Sequence, residues 1–236
     1  MKKICFFIFF LYPIINCYCQ TSEIYFKNGL AKDNQQDYRG AIIDYTKAIA
    51  INPKYGVAYY NRGLSKYELQ DYGGAIADYN KAIEINPNYG DAFGNRAGAK
   101  SKLQDYRGAI ADLNKEIEIN PNFANAYYNR GLAKNHLQDH RGAIADYNSA
   151  IEINPTYEVA YYNRGNSKTE LQDYRGAIKD YDSAIEINPK YADAYNNRGN
   201  AKHYLSDKEG SCLDWSKAGE LGVKDAYDKI KKYCSN

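Results

Sequence analysis

Methionine and tryptophan occur once each in 236 residues, histidine three times and proline six times. Five of the six prolines stand in register, a point taken up below. With only His136, His140 and His203 there is little material for an imidazole-built centre. HLQDH, from His136 to His140, has the spacing of two metal ligands on one helix. It lacks the glutamate of a zinc-protease motif, and it falls where a turn is expected. No serine-nucleophile motif, glycine-rich phosphate loop or Cys–His pair is present, so neither a catalytic centre nor a cofactor is expected. No basic stretch is present either. The 31 basic and 29 acidic residues give a formal charge of +2, and without Lys2 and Lys3 the two signs balance at 29 each. That balance excludes the electrostatic footprint of a nucleic-acid binder.

Long hydrophobic runs are confined to the start. MKK is a basic opening, and ICFFIFFLYPII (4–15) is too short and too interrupted by Pro13 for a membrane span. The pattern predicts a signal peptide over 1–19. Cys17 and Cys19 stand at −3 and −1 of a cut before Gln20. Lipidation at Cys17 is the alternative, and Asn16 before it is a poor match to the small residue such a site prefers. A buried N-terminal helix is a third reading. Export places the mature chain in the periplasm, outside the cell or at the outer membrane. Of five cysteines only Cys212 and Cys234 then remain, an even number in an oxidising compartment.

What the chain has is a period. Pro53, Pro87, Pro121, Pro155 and Pro189 lie 34 residues apart, each after Ile-Asn. In one copy Ala126, Tyr127, Arg130, Gly131 and Ala133 mark a first helix, and Ala143, Ile144, Tyr147, Ala150 and Ile151 a second. Asp139 between them is a helix N-cap, and it recurs at Asp37, Asp71, Asp105, Asp173 and Asp207. Asn154 before Pro155 ends the second helix, because a residue preceding proline avoids the helical region. A period near 34 marks stacked helical hairpins.

The chain thus resembles the tetratricopeptide repeat (TPR) family, in a bacterial exported form. The resemblance rests on Tyr127, Gly131, Ala143, Tyr147, Ala150, Pro155 and their counterparts. It implies an all-α, right-handed solenoid of about six hairpins within 20–222, at 22–55, 56–89, 90–123, 124–157, 158–191 and 192–222. A capping helix is expected over 223–236, where Val223, Ala226, Tyr227 and Ile230 form an apolar stripe. The third copy departs at Ala97 and Glu116, and the sixth at Trp215. A disulfide between Cys212 and Cys234 is expected to staple the cap, two buried thiols being the alternative.

The stretch YYNRG recurs at 59–63, 127–131 and 161–165, with the variants FGNRA and YNNRG. Its arginine lies on the packed side of the first helix at Arg62, Arg96, Arg130, Arg164 and Arg198. A buried guanidinium needs a partner. Asp44, Asp78, Asp112, Asp146, Asp180 and Asp214 recur with the same period. Six aspartates against five arginines suggest that each Asp pairs with the Arg of the next copy: Asp44 with Arg62, and so on to Asp180 with Arg198.

The asparagine before each arginine, at Asn61, Asn95, Asn129, Asn163 and Asn197, lies about 100° round the helix. The resemblance places this row on a concave groove, with Tyr60, Tyr128 and Tyr162 beside it. One amide per repeat, about 10 Å apart, matches three residues of extended chain. The alternative is that these amides only solvate a surface or cap local backbone groups. Glu23, Asp33, Glu68, Asp91, Glu170 and Asp193 against Lys27 and Lys102 make the groove mildly acidic. The expected function is a non-enzymatic scaffold at the bacterial cell envelope. It would hold an extended peptide or partner protein, neutral to basic, with no small-molecule substrate. The alternative is a structural or self-assembling subunit working through its convex or terminal faces.

Overall fold

The computed structural model describes residues 8–234, with side chains described from residue 21 onward. The expected leader, and Cys17 with it, lies outside the residues whose side chains are described. Among the described residues no helix is long and apolar enough to cross a membrane. The chain divides into two compact units, 1–120 and 121–236.

The first unit holds three helical hairpins: α1 (Ile8–Asn34) with α2 (Tyr38–Ile51), α3 (Gly56–Glu68) with α4 (Tyr72–Ile85), and α5 (Gly90–Lys102) with α6 (Tyr106–Ile119). The second holds α7 (Ala124–His136) with α8 (His140–Ile153), α9 (Glu158–Glu170) with α10 (Tyr174–Ile187), and α11 (Ala192–Tyr204) with α12 (Lys208–Glu220). A last helix, α13 (Asp225–Tyr233), follows.

Local chemistry sets the turn within each hairpin and the end of its second helix. Each hairpin aspartate accepts a hydrogen bond from the backbone N–H three residues on, as in Asp71 to Gly74 and Asp139 to Gly142, both at 2.9 Å. This fills one of the donors a helix start leaves open. Just before it, the first helix is closed by a left-handed residue, Gln36, Gln70, Gln104, Gln138, Gln172 or Ser206, at φ 61–63°. The Asp71 N–H then reaches back to the Lys66 carbonyl at 2.9 Å, which caps the helix C-terminus. At the other end, Asn86 and Asn154 turn the chain by accepting from the N–H two residues on, at 3.1 Å.

Small residues bring the helices together and one ring per hairpin fills the gap. Tyr45, Tyr79, Tyr147, Tyr181 and Trp215 are buried among alanines, at most 1% exposed. Opposite each ring stands a glycine. A Cβ on Gly131 would come within 2.6 Å of Tyr147, and one on Gly165 within 2.7 Å of Tyr181. The third hairpin explains its own departure: Leu113 replaces the ring, and Ala97 takes the space the smaller side chain leaves.

Ala226 of the last helix joins Trp215 and Ala218 in one cluster, with Val223 before the helix and Ile230 and Tyr233 on it packed around them. Cys212 on α12 and Cys234 after α13 form a disulfide, with their Cα atoms 5.8 Å apart.

Candidate functional site

The repeating stretch YYNRG sits in α3, α7 and α9, and each of its side chains has a distinct task. Its first tyrosine lies under the arginine, as in Arg62 over Tyr59 at 5.4 Å and Arg164 over Tyr161 at 5.3 Å. The arginine does not do what the sequence count suggests. It pairs with the aspartate of its own hairpin, 16 residues on: Arg62 with Asp78, Arg96 with Asp112, Arg130 with Asp146, Arg164 with Asp180, and Arg198 with Asp214. The Nη2 to carboxylate distances are 2.5–2.6 Å. Nε donates to the same carboxylate at 2.9–3.1 Å, so the fork is bidentate. The predicted pairs Asp44–Arg62, Asp78–Arg96, Asp112–Arg130, Asp146–Arg164 and Asp180–Arg198 are replaced by these.

The reason is a second cation that the sequence count omits. Four residues after each arginine slot stands a lysine, and Lys66, Lys100, Lys134, Lys168 and Lys202 meet the same aspartates at 2.7–2.8 Å. The first hairpin has no arginine in the slot, and Lys32 takes Asp44 at 2.6 Å. Asp44 is therefore not left over, and the mismatch of six against five carries no information about pairing. The arginine does reach the preceding hairpin, by its third nitrogen. Nη1 donates to Thr46 from Arg62 (3.0 Å), to Asn80 from Arg96 (2.6 Å), to Asn148 from Arg164 (2.7 Å) and to Asp182 from Arg198 (2.6 Å).

The asparagines are also more occupied than their spacing suggests. Asn95 donates to the Tyr60 hydroxyl and to the Asp91 carbonyl, both at 2.9 Å. Asn163 donates to Tyr128 (3.1 Å) and the Val159 carbonyl (2.8 Å). Asn197 donates to Tyr162 (3.0 Å) and Asn166 (3.0 Å), and its own oxygen accepts from Asn196 at 3.4 Å. Among the described residues the Asn61 side chain has only the Val57 carbonyl, at 2.8 Å. Asn129 is exposed and makes no side-chain hydrogen bond among the described residues. An amide that has given both hydrogens offers only its acceptor, so Asn95 and Asn163 present Oδ1 alone.

Tyr60, Tyr128 and Tyr162 serve the same contacts. Their rings pack against Tyr89, Tyr157 and Tyr191 at centroid distances of 4.8–5.1 Å. Burial raises all three hydroxyl pKa values, Tyr60 to about 12, which keeps them neutral donors or acceptors at any ordinary pH. They hold successive hairpins together. Among the groove charges, Asp33 is likewise engaged, accepting from Tyr45 (2.6 Å) and Ser65 (2.8 Å).

One concavity escapes the sequence reading. In the second unit a cavity of about 720 Å³ is lined by Asn197, Asn200, His203 and Tyr204 of α11 and by Lys229 and Tyr233 of α13. His203 and Tyr233 lie 4.4 Å apart, and Lys229 donates to Asn196 at 2.7 Å. The cap thus forms one wall of a pocket that contains the last asparagine of the row.

Family models described as tetratricopeptide repeats match residues 22–55, 56–89, 99–135, 124–157 and 165–205. The chain belongs to the TPR family. The sequence has no significant match among curated proteins. Among solved structures, the MamA protein is 27% identical with a TM-score of 0.67, over 73% of this chain and 94% of MamA. YrrB, described as a TPR protein with an unusual peptide-binding site, is 21% identical with a TM-score of 0.69, over 80% and 97%. PilF of Pseudomonas aeruginosa is 15% identical with a TM-score of 0.75, over 91% and 98%. The all-α class of TPR hairpins is common to these neighbours, and TPR proteins are in general non-enzymatic scaffolds for protein interaction.

Proposed function

We propose that this TPR protein is a non-enzymatic scaffold whose first helices hold an extended segment of a partner protein along their asparagine-bearing faces, in a concave groove. The carrying observation is the state of Asn95 and Asn163. Each has both amide hydrogens tied down within its unit, and among the described residues nothing donates to its carbonyl oxygen. A fixed acceptor of this kind suits the backbone N–H groups of an extended chain, which present a donor to one side at regular intervals. Its affinity comes from many modest contacts rather than from one pocket. YrrB shares the fold alone, and its peptide-binding site remains a property of that protein. The balance of charge on the same faces suits a neutral to basic segment. The apolar opening and the disulfide support export to the bacterial envelope, where such a bond persists.

The test is capture from envelope extract by the wild type and by the variant Asn95→Ala, Asn129→Ala, Asn163→Ala, with circular dichroism confirming the helices. A partner held by the wild type and lost by the variant supports the row. Equal capture by both refutes it and leaves the alternative, docking through terminal or convex faces. Ile24 and Ile43, more than half exposed in the first hairpin, favour that alternative.

A further inference from the structure

The third hairpin differs from the others at two facing positions. The slot of Ala48, Ala82, Ala150, Ala184 and Ala218 carries Glu116, and the slot of Phe26, Tyr60, Tyr128 and Tyr162 is Gly94. In space the two changes are one. A Cβ on Gly94 would run into both carboxyl oxygens of Glu116, so the carboxyl fills the room that a ring fills elsewhere.

Glu116 is 3% exposed, and its side chain makes no hydrogen bond or ion pair among the described residues. It is not sealed. The only solvent-inaccessible side-chain polar atom without a partner among the described residues is the Tyr79 hydroxyl, so the Glu116 oxygens still touch solvent. Its surroundings in the first unit are acidic and aromatic. Burial, and after it repulsion by Asp91, exposed at the start of α5, raises its pKa to about 7. The Tyr60 ring, 4.8 Å from that of Tyr89, is near enough to feel both carboxylates. None of the cations that neutralise the hairpin aspartates reaches this one.

A buried carboxylate without a partner is costly, and a cation brought from outside removes the cost. A divalent ion calls for six or more oxygen ligands, which one carboxyl and an exposed neighbour do not supply. An organic cation needs one carboxylate and an aromatic face. We propose that Glu116, with Asp91 and the Tyr60–Tyr89 ring pair, receives an arginine or lysine side chain of the bound segment. This rests on the peptide-binding reading above and gives it a register: the basic residue lies at the third repeat.

The full-length protein, labelled with ¹⁵N, is titrated above the Glu116 pKa with N-acetylarginine amide and separately with N-acetylcitrulline amide, at matched ionic strength. The two probes have the same shape and differ in charge. The expected result is saturable shifts of the Gly94 and Asn95 amides, at least about tenfold tighter for arginine, with the preference lost in Glu116→Gln. Equal affinities, shifts spread over the surface, or an arginine preference that survives Glu116→Gln would overturn the assignment. The probe is too short to span two asparagines, so the triple asparagine variant is expected to retain it. Equal capture by the wild type and the triple variant, with the arginine preference intact, strikes the asparagine row alone; loss of capture by that variant without an arginine preference strikes Glu116 alone.

Discussion

Arginine 164 allows the two pairing schemes to be weighed against each other in one molecule. It donates twice to Asp180 in its own hairpin and once to Asn148 in the preceding one. Asp146, the partner suggested by counting, is held instead by Arg130 and Lys134. Asp180 is 3% exposed. Replacing it with alanine strands Arg164 and Lys168 without a carboxylate, at a cost of about 3–5 kcal/mol. Arg164→Met leaves Lys168 on the aspartate, so its cost is smaller, about 2–3 kcal/mol. Double-mutant cycles then separate the partners. Coupling of Arg164 with Asp180 is expected at about 2–3 kcal/mol, with Asn148 at about 0.5–1 kcal/mol because that contact is exposed, and with Asp146 below about 0.5 kcal/mol. Urea titration followed by circular dichroism gives the global values. Because repeat arrays need not unfold in one step, amide exchange in α9 and α10 gives the local ones. A coupling of Arg164 with Asp146 equal to that with Asp180 would refute the within-hairpin assignment.

Three further outcomes are expected. The raised pKa of Glu116 means that its own contribution to stability is fully present below about 4.5 and is lost as pH rises through about 7; Glu116→Gln should therefore gain up to about 3 kcal/mol relative to the wild type across that window, and a flat difference would refute the burial argument. Tyr79→Phe removes a hydroxyl with no partner and should be neutral or stabilising by about 1 kcal/mol, whereas Tyr147→Phe breaks the bond from Asn135 and should cost about 1 kcal/mol, both read by urea midpoint. Reduction, or Cys234→Ser, should raise amide exchange in α13 and leave α7 to α10 unchanged, since the bond closes a stretch of 22 residues, worth about 3 kcal/mol in chain entropy; protection of α13 that survives reduction would show that packing alone holds the cap.

The hairpins were legible because their signals are local. The Asp139 cap, the Asn154–Pro155 stop and the small residues at Gly131 and Ala143 each act within a few residues. Pairing between helices was not legible, for a reason intrinsic to repeats. With a period of 34, an aspartate 16 residues after an arginine and one 18 residues before it recur equally often, so only the ends break the tie. The first hairpin breaks the tie falsely, because Lys32, the first of the lysine series, holds Asp44 in place of an arginine. The asparagines were found by their spacing, but the Tyr60–Asn95 contact spans 35 residues and depends on how hairpins stack. The pocket beside Tyr233 depends on where α13 returns, which no period describes.

The disulfide gives the chain a direction. A linear array of repeats can come apart from either end, since its terminal members have a neighbour on one side only. Here the carboxyl end is a closed loop from Cys212 to Cys234, while no corresponding crosslink joins α1 to α2 among the described residues. A protease or an unfolding machine that starts at the carboxyl end meets a ring that must be reduced before it can be threaded as a single strand. Among the described residues the first hairpins offer no such obstacle. Degradation of the oxidised protein is thus expected to start from the first hairpins, and reduction of the Cys212–Cys234 bond to remove that preference.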